Sequence, residues 1–236
     1  MKIGGLQKVS LIDFPGKIAC VVFAQGCNFR CQFCHNQILV VPQKFEKLTE
    51  EEEVFDFLGG RVSKIDAVVV SGGEPTLHND LWKFLEKIKA MGFMVKLDTN
   101  GTSPTVLEDL YGKHLLDYVA MDIKHRFEKY GEIVCAEADI EKIKLSVALV
   151  KSGSVDYEFR TTVVPKFHGD DDIKAIAEQL SGAKRFIIQE FVPGHAMDGS
   201  LSNANSIFAV ENREILNGVA NFCRTHVDEF AWRVAN

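Results

Sequence analysis

The sequence predicts an α/β fold, an incomplete (β/α)6 TIM-like barrel with parallel strands and an N-terminal hairpin. Short runs rich in Val, Ile and Phe alternate with segments of helical periodicity, which is the pattern of parallel βα units. Six such repeats are found, two fewer than a closed eight-stranded barrel has. No Pro- or Ser-rich linker divides the 236 residues, a length within the range of one α/β domain.

Residues 1–17 carry a Phe14-Pro15-Gly16 turn and read as the hairpin. Strands are expected at about 18–25, 65–71, 93–98, 117–123, 157–164 and 185–191. Between them lie the helices. The acidic run Glu50 to Glu53 follows Thr49 and precedes Val54, Phe55, Phe57 and Leu58, so it reads as a helical first turn with Thr49 as N-cap, not as an acidic site. Leu81 to Met91 is stopped by Gly92, Thr105 to Tyr111 follows the third strand, and Asp139 to Lys151 is stopped by Gly153. Asp171 to Leu180 is the next helix, and the tail reads as a helix from Glu211 to Thr225 and a strand from Glu229 to Val234.

Composition narrows the class of function. Hydrophobic residues make up 46% of the chain, enough for a sizeable core, and the net charge is −6. Lys and Arg are spread along the chain instead of forming a stripe, which argues against a nucleic-acid backbone as main partner. No apolar stretch approaches the roughly 20 residues needed to span a bilayer, and MKIGGLQKVSLIDFPGK has no apolar export core, so no membrane is expected and a cytoplasmic location is.

Three of the six cysteines carry the chemistry. Cys27, Cys31 and Cys34 stand at C-x-x-x-C-x-x-C spacing in a loop opened by Gly26, directly after the apolar run Ile18 to Ala24. Such spacing brings thiolates together to hold iron–sulfur or zinc. A cluster of four irons wants four thiolates, so three leave one iron open to a ligand that is not protein. Two other readings stay open on this segment: Cys31-Gln32-Phe33-Cys34-His35 spells the C-x-x-C-H haem attachment motif, which needs an exported protein, and the three cysteines with His35 form a zinc-type donor set, though without a distant second pair. Cys20, Cys135 and Cys223 are scattered and read as free thiols.

Three strand ends add polar and glycine-rich groups, and in this fold the ligand site lies at the carboxyl ends of the strands. They are Ser71-Gly72-Gly73-Glu74-Pro75, Leu97-Asp98-Thr99-Asn100-Gly101 and Met121-Asp122-Ile123-Lys124. Taken singly, they read as a turn, a turn with a capping Asp, and a salt bridge. Together they deliver functional groups to the rim that also bears the cysteine loop.

The cysteine loop with Phe33 in its aromatic position, followed by Gly72-Gly73-Glu74-Pro75, resembles the radical S-adenosylmethionine (SAM) superfamily. Asp98-Thr99-Asn100-Gly101 and Asp122-Ile123-Lys124 make it similar to the glycyl-radical-enzyme activases. Ser10-Leu11-Ile12-Asp13-Phe14-Pro15-Gly16-Lys17 resembles the N-terminal pattern of anaerobic ribonucleoside-triphosphate reductase activating proteins. The resemblance runs in order from about residue 8 to Gln189-Glu190-Phe191-Val192-Pro193-Gly194 and implies one radical SAM domain over residues 1–236.

The resemblance implies that Cys27, Cys31 and Cys34 ligate three irons of a [4Fe–4S] cluster whose fourth iron is chelated by the amino and carboxylate groups of SAM. It assigns Gly72, Gly73 and Glu74 to the SAM amino group, and Phe33, Cys34 and His35 to the border of the adenine. Asp98, Thr99 and Asp122 match positions that hold a monovalent cation beside the SAM carboxylate in pyruvate formate-lyase activating enzyme, with Lys124 adding positive charge. Arg160 and His195 fall near further SAM-contacting positions.

The implied reaction is reductive cleavage of SAM to methionine and a 5′-deoxyadenosyl radical, which takes a hydrogen from one glycine of a partner glycyl-radical enzyme. The implied partners are anaerobic ribonucleoside-triphosphate reductase and an electron donor such as flavodoxin or ferredoxin. A radical SAM enzyme acting on a small molecule or an RNA base shares the same motifs. A non-catalytic iron–sulfur or zinc protein would not need Gly72-Gly73-Glu74 and the two strand-end aspartates.

Overall fold

The computed structural model describes residues 1–194, 196–203 and 213–234. Its centre is one eight-stranded sheet in the order β1 to β8: Ile3–Ser10, Ala19–Ala24, Ala67–Gly72, Met94–Thr99, Tyr118–Asp122, Asp156–Val163, Arg185–Glu190 and Glu229–Arg233. β1 pairs antiparallel with β2, and every later pair is parallel. Among the described residues β1 and β8 do not pair with each other, so the sheet curls without closing. The hairpin thus uses the first parallel strand as its second arm, and residues 11–18 are its connection. The terminal strand joins β7 in register from Arg185↔Glu229 to Gln189↔Arg233, giving seven parallel strands where the six repeats and a separate tail had been expected.

The helices are α1 (Gln37–Val40), α2 (Glu51–Gly59), α3 (Leu81–Ala90), α4 (Pro104–Gly112), α5 (Tyr130–Val134), α6 (Ile140–Ser152), α7 (Asp170–Gln179) and α8 (Arg213–Arg224). α3 shows why they pack on the sheet: Leu81, Phe84, Leu85 and Ile88 recur at helical spacing and are all buried. The short α1 and α5 lack the length for a periodic signal, and the sequence reading missed them. It also misplaced the start of α2. The Thr49 N–H donates to the Ile3 carbonyl at 2.9 Å in an isolated bridge, so Thr49 is extended and Glu50 occupies the cap position without a side-chain bond.

Strand side chains divide by their period of two. Cys20, Val22, Val68, Val70, Val95, Leu97, Val119 and Met121 join the large core under the helices. Their neighbours Ala19, Val21, Ala67, Val69, Tyr118 and Ala120 turn to the barrel interior and form a second, smaller cluster. Because the inward alanines leave room, Phe14 folds in from the hairpin connection, 3% exposed, with its ring 5.5 Å from that of Tyr118. It fills the lower barrel as side-chain layers do in closed barrels. Phe14→Ala should therefore lower unfolding free energy by about 3–5 kcal/mol, the usual loss for a buried Phe, read from the urea midpoint. A loss below about 1 kcal/mol would mean that the connection does not seal the barrel.

Candidate active site

The cysteine loop leaves β2 and is tied down on three sides. Arg30 and Gln32 donate backbone N–H groups to the carbonyls of Val134 and Ile133 on α5, at 2.8 and 3.4 Å. The Asn100 side-chain amide donates to Asn28 at 2.9 Å, and Asn28 donates to Thr102 at 3.0 Å, linking the loop to the end of β4. The Asn36 amide donates to the Gly72 carbonyl at 3.1 Å, linking it to β3. Phe29 rests near Tyr130 of α5, ring centroids 6.3 Å apart.

Glycine at two positions of β3's end lets the loop come this close. Gly72 has φ +108°, and a Cβ there would lie 2.6 Å from the backbone nitrogen of Ala24. At Gly73 a Cβ would meet the carbonyl oxygen of Gly26 at 2.0 Å. Backbone contact replaces side chains: Gly73 N–H donates to Ala24 at 2.9 Å and Glu74 N–H to Gly26 at 2.8 Å. The Glu74 carboxylate then accepts from Thr76 N–H (3.1 Å), Thr76 Oγ1 (2.6 Å), Thr99 Oγ1 (2.8 Å) and Asn100 N–H (2.6 Å). Burial raises its pKa and these bonds oppose the shift without cancelling it. Glu74 is 0% exposed and does not line the cavity. Its hydrogen bonds lock the ends of β3 and β4 together.

The cavity itself, about 450 Å³, is walled by Cys27, Cys31, Cys34, Phe33, His35, Gly72, Gly73, Asp98, Thr99, Asp122, Lys124 and Arg160. Its volume is that of a small-molecule site. All the expected site residues meet here except Glu74, already described, and His195, which lies outside the described residues. Phe33 packs edge-on to His168, centroids 6.4 Å apart, and His35 stacks on Phe191 at 5.3 Å while its Nε2 bonds the Val192 carbonyl at 2.8 Å. Asp13, Asn36, Ser71, Thr162 and Gln189 also line it and were not anticipated. Ser71, Thr162 and Gln189 could have been found from the period of two, whereas Asp13 arrives on the hairpin connection, whose path no local signal records.

The three thiols fit a cluster. Burial pushes Cys27 up to about 11 and Cys31 up to about 12, and raises Cys34, so each stays a neutral thiol unless metal charge stabilises the thiolate. Among the described residues no three His, Cys, Asp or Glu side chains close on a point that one metal ion would fill. The three thiols line one shared cavity. Cys20 and Cys223 are buried in the core and Cys135 is exposed, all outside the cavity.

Opposite the cysteines lies a set of charges. The Arg160 guanidinium donates to Asp122 at 2.8 Å and to Asp98 at 3.3 Å, and Lys124 Nζ donates to Asp122 at 3.0 Å. Burial works to raise both carboxyls, but the cations outweigh it: Arg160 and Lys96 hold Asp98 below the usual carboxylate range, and Arg160 and Lys124 do the same for Asp122. Both acids are thus ionised at neutral pH. Every oxygen of the two carboxylates accepts from at least one of these cationic side chains or from Ser71.

With this geometry in view, the family model for the radical SAM superfamily matches residues 21–180. A Methanocaldococcus jannaschii protein with the provisional name glycyl-radical enzyme activating enzyme is 37% identical, over 99% of this chain and 96% of its own. Pyruvate formate-lyase-activating enzyme of Clostridium pasteurianum is 34% identical over 52% of each chain. Among solved structures, Streptococcus suis SuiB bound to S-adenosylmethionine aligns with TM-score 0.63 at 11% identity, over 92% of this chain and 52% of that one. A domain of pyruvate-formate lyase-activating enzyme from Bacteroides vulgatus aligns with TM-score 0.55 at 17% identity, over 72% and 99%. The chain belongs to the radical SAM superfamily and, within it, to the group of glycyl-radical-enzyme activating enzymes. The superfamily's cofactors are a [4Fe–4S] cluster and SAM, and the thiols and cavity described above suit both.

Alanine at Cys27, Cys31 or Cys34 should abolish the brown iron–sulfur absorbance after anaerobic reconstitution, while alanine at Cys20, Cys135 or Cys223 leaves it. A full cluster in Cys31→Ala would refute the assignment. Gly73→Ala, which touches no thiol, should also lower cluster content several-fold, because its Cβ forces the Gly26 carbonyl away and the cysteine loop with it. Wild-type iron content in Gly73→Ala would show that the loop tolerates the displacement.

Proposed function

We propose that this protein generates a glycyl radical on a partner enzyme, and that the partner is an anaerobic ribonucleoside-triphosphate reductase. The observation that carries the activase reading is the 37% identity running over 99% of this chain and 96% of a relative named for that activity. The ribonucleotide reductase assignment is supported by the Ser10-Leu11-Ile12-Asp13-Phe14-Pro15-Gly16-Lys17 segment. A flavodoxin or ferredoxin in the cytoplasm suits the electron supply and the six free cysteines.

When bound, the cluster and SAM supply one-electron cleavage of the S–C5′ bond, yielding methionine and a 5′-deoxyadenosyl radical that takes hydrogen from a glycine Cα. The residues of this chain bind, orient and exclude water. Cys27, Cys31 and Cys34 hold the irons. Lys124 and Arg160, both with pKa values raised by Asp122 against the opposing effect of burial, keep their charge at every working pH and attract the SAM carboxylate. Gly72 and Gly73 offer backbone without a Cβ in the way, and Phe33 and His35 border the adenine. His168 is held at about 4 by burial and so supports Phe33 as a neutral ring.

Incubated without oxygen with SAM, a strong reductant and the cognate reductase, the protein should produce a glycyl-radical doublet in the electron paramagnetic resonance spectrum. Replacing the target glycine by alanine should remove it. Efficient SAM cleavage with hydrogen loss from a metabolite or tRNA, and no doublet on the reductase, would replace this reading with the modification-enzyme alternative.

A further inference from the structure

The barrel interior holds a buried cation that the functional reading has not used. Lys96 stands on β4 two residues before Asp98, so both project inward. It is 1% exposed, its Nζ donates to Asp98 Oδ1 at 2.7 Å, and it lies 5.9 Å from the centre of the Tyr118 ring. Arg160 reaches the other side of the same acid from β6.

The oxygens of the two strand-end carboxylates are all engaged. Asp98 Oδ1 accepts from Lys96 at 2.7 Å, and Asp98 Oδ2 accepts from Ser71 at 3.0 Å and Arg160 at 3.3 Å. Asp122 Oδ1 accepts from Arg160 at 2.8 Å and Asp122 Oδ2 from Lys124 at 3.0 Å. Glu158, 4.0 Å from Arg160, has its own cation in Arg233 at 3.4 Å. Three side-chain cations therefore meet two carboxylates, and the surplus positive charge matches the single negative charge of an entering amino-acid carboxylate. A metal ion added to this set would compete with Lys96, Lys124 or Arg160 for the carboxylate oxygens and be repelled by the same cations.

We propose that the Lys96 ammonium is the built-in cation of the SAM carboxylate site, a positioning residue acting through Asp98, and that the site takes up no exchangeable alkali ion. This rests on SAM occupying the cavity, which the first binding titration verifies before salts are compared.

The test uses the reconstituted holoenzyme and equilibrium dialysis of SAM in sodium, potassium and tetramethylammonium chloride, with radioactive rubidium as a probe of cation uptake. Wild type should show one SAM affinity within about twofold across the three salts and retain no rubidium with SAM. Lys96→Met, checked for wild-type cluster absorbance and melting temperature, should lose at least about tenfold in SAM affinity in tetramethylammonium, as expected when one partner of a buried charge pair is removed. Potassium or sodium should restore it. Stoichiometric rubidium in wild type, or a wild-type affinity that falls about tenfold when potassium is replaced by tetramethylammonium, overturns the proposal. So does a folded Lys96→Met that binds SAM like wild type in every salt, or weakly in every salt without rescue. If the variant does not fold, the wild-type rubidium and affinity measurements decide the matter alone.

Discussion

The backbone of Gly73 lies against the carbonyl of Gly26, and the geometry of the site depends on that contact. With no side chain at Gly73, the end of β3 sits on the cysteine loop closely enough for Glu74 N–H to bond the Gly26 carbonyl at 2.8 Å. The Glu74 side chain then turns inward and gathers donors from Thr76, Thr99 and Asn100. One residue thus fixes three segments relative to one another: its backbone N–H holds the cysteine loop and its carboxylate joins the ends of β3 and β4. A buried carboxylate is costly unless its oxygens are satisfied, and four donors within hydrogen-bond distance supply that satisfaction.

The barrel interior is divided in character, and the division has a mechanical logic. On the β2 and β3 side the inward residues are Ala19, Val21, Ala67 and Val69, small enough for Phe14 to enter from the hairpin. On the β4 to β6 side, beside Tyr118 and Ala120, they include Lys96, Asp98, Asp122, Glu158 and Arg160. The ion pairs there share partners, Asp98 accepting from Lys96 and Arg160 and Asp122 from Arg160 and Lys124, and removing one partner of a buried pair costs about 3–5 kcal/mol because the other is left unpaired. The charges are tolerable only as a set. A barrel built for stability alone would carry branched aliphatic side chains in these layers, so the ionic layer is a cost accepted in exchange for a polar wall facing the thiols.

Much of the fold and many of the site residues were legible from local pattern. The βα alternation, the stop signals at Gly92 and Gly153, and the cysteine spacing are each properties of a few neighbouring residues. The same holds for the three strand ends, because in a parallel barrel the carboxyl ends share one rim whatever the details of packing. Thr49 was misread for the opposite reason: its local context is that of a cap, but a backbone bond to Ile3, 46 positions away in the chain, holds it extended. α5 gave no periodic signal, being five residues long, yet it carries the carbonyls that hold Arg30 and Gln32.

The sequence by itself determined the class of chemistry: three thiols on one loop, glycines where the loop needs clearance, and acids and bases at the ends of consecutive strands. These are matters of residue type and spacing, and they survive any rearrangement of distant parts. Only the tertiary structure decided which way each polar group faces and what it is paired with. Glu74 belongs to the framework because four donors from two strand ends surround it. Asp13 joins the cavity wall because the hairpin connection folds back into the barrel. Lys96 became a partner of Asp98 because the sheet buries it to 1% exposure, and a buried ammonium must find a carboxylate within a few ångströms. Burial and long-range pairing set these roles, and neither is encoded in the residues adjacent in the chain.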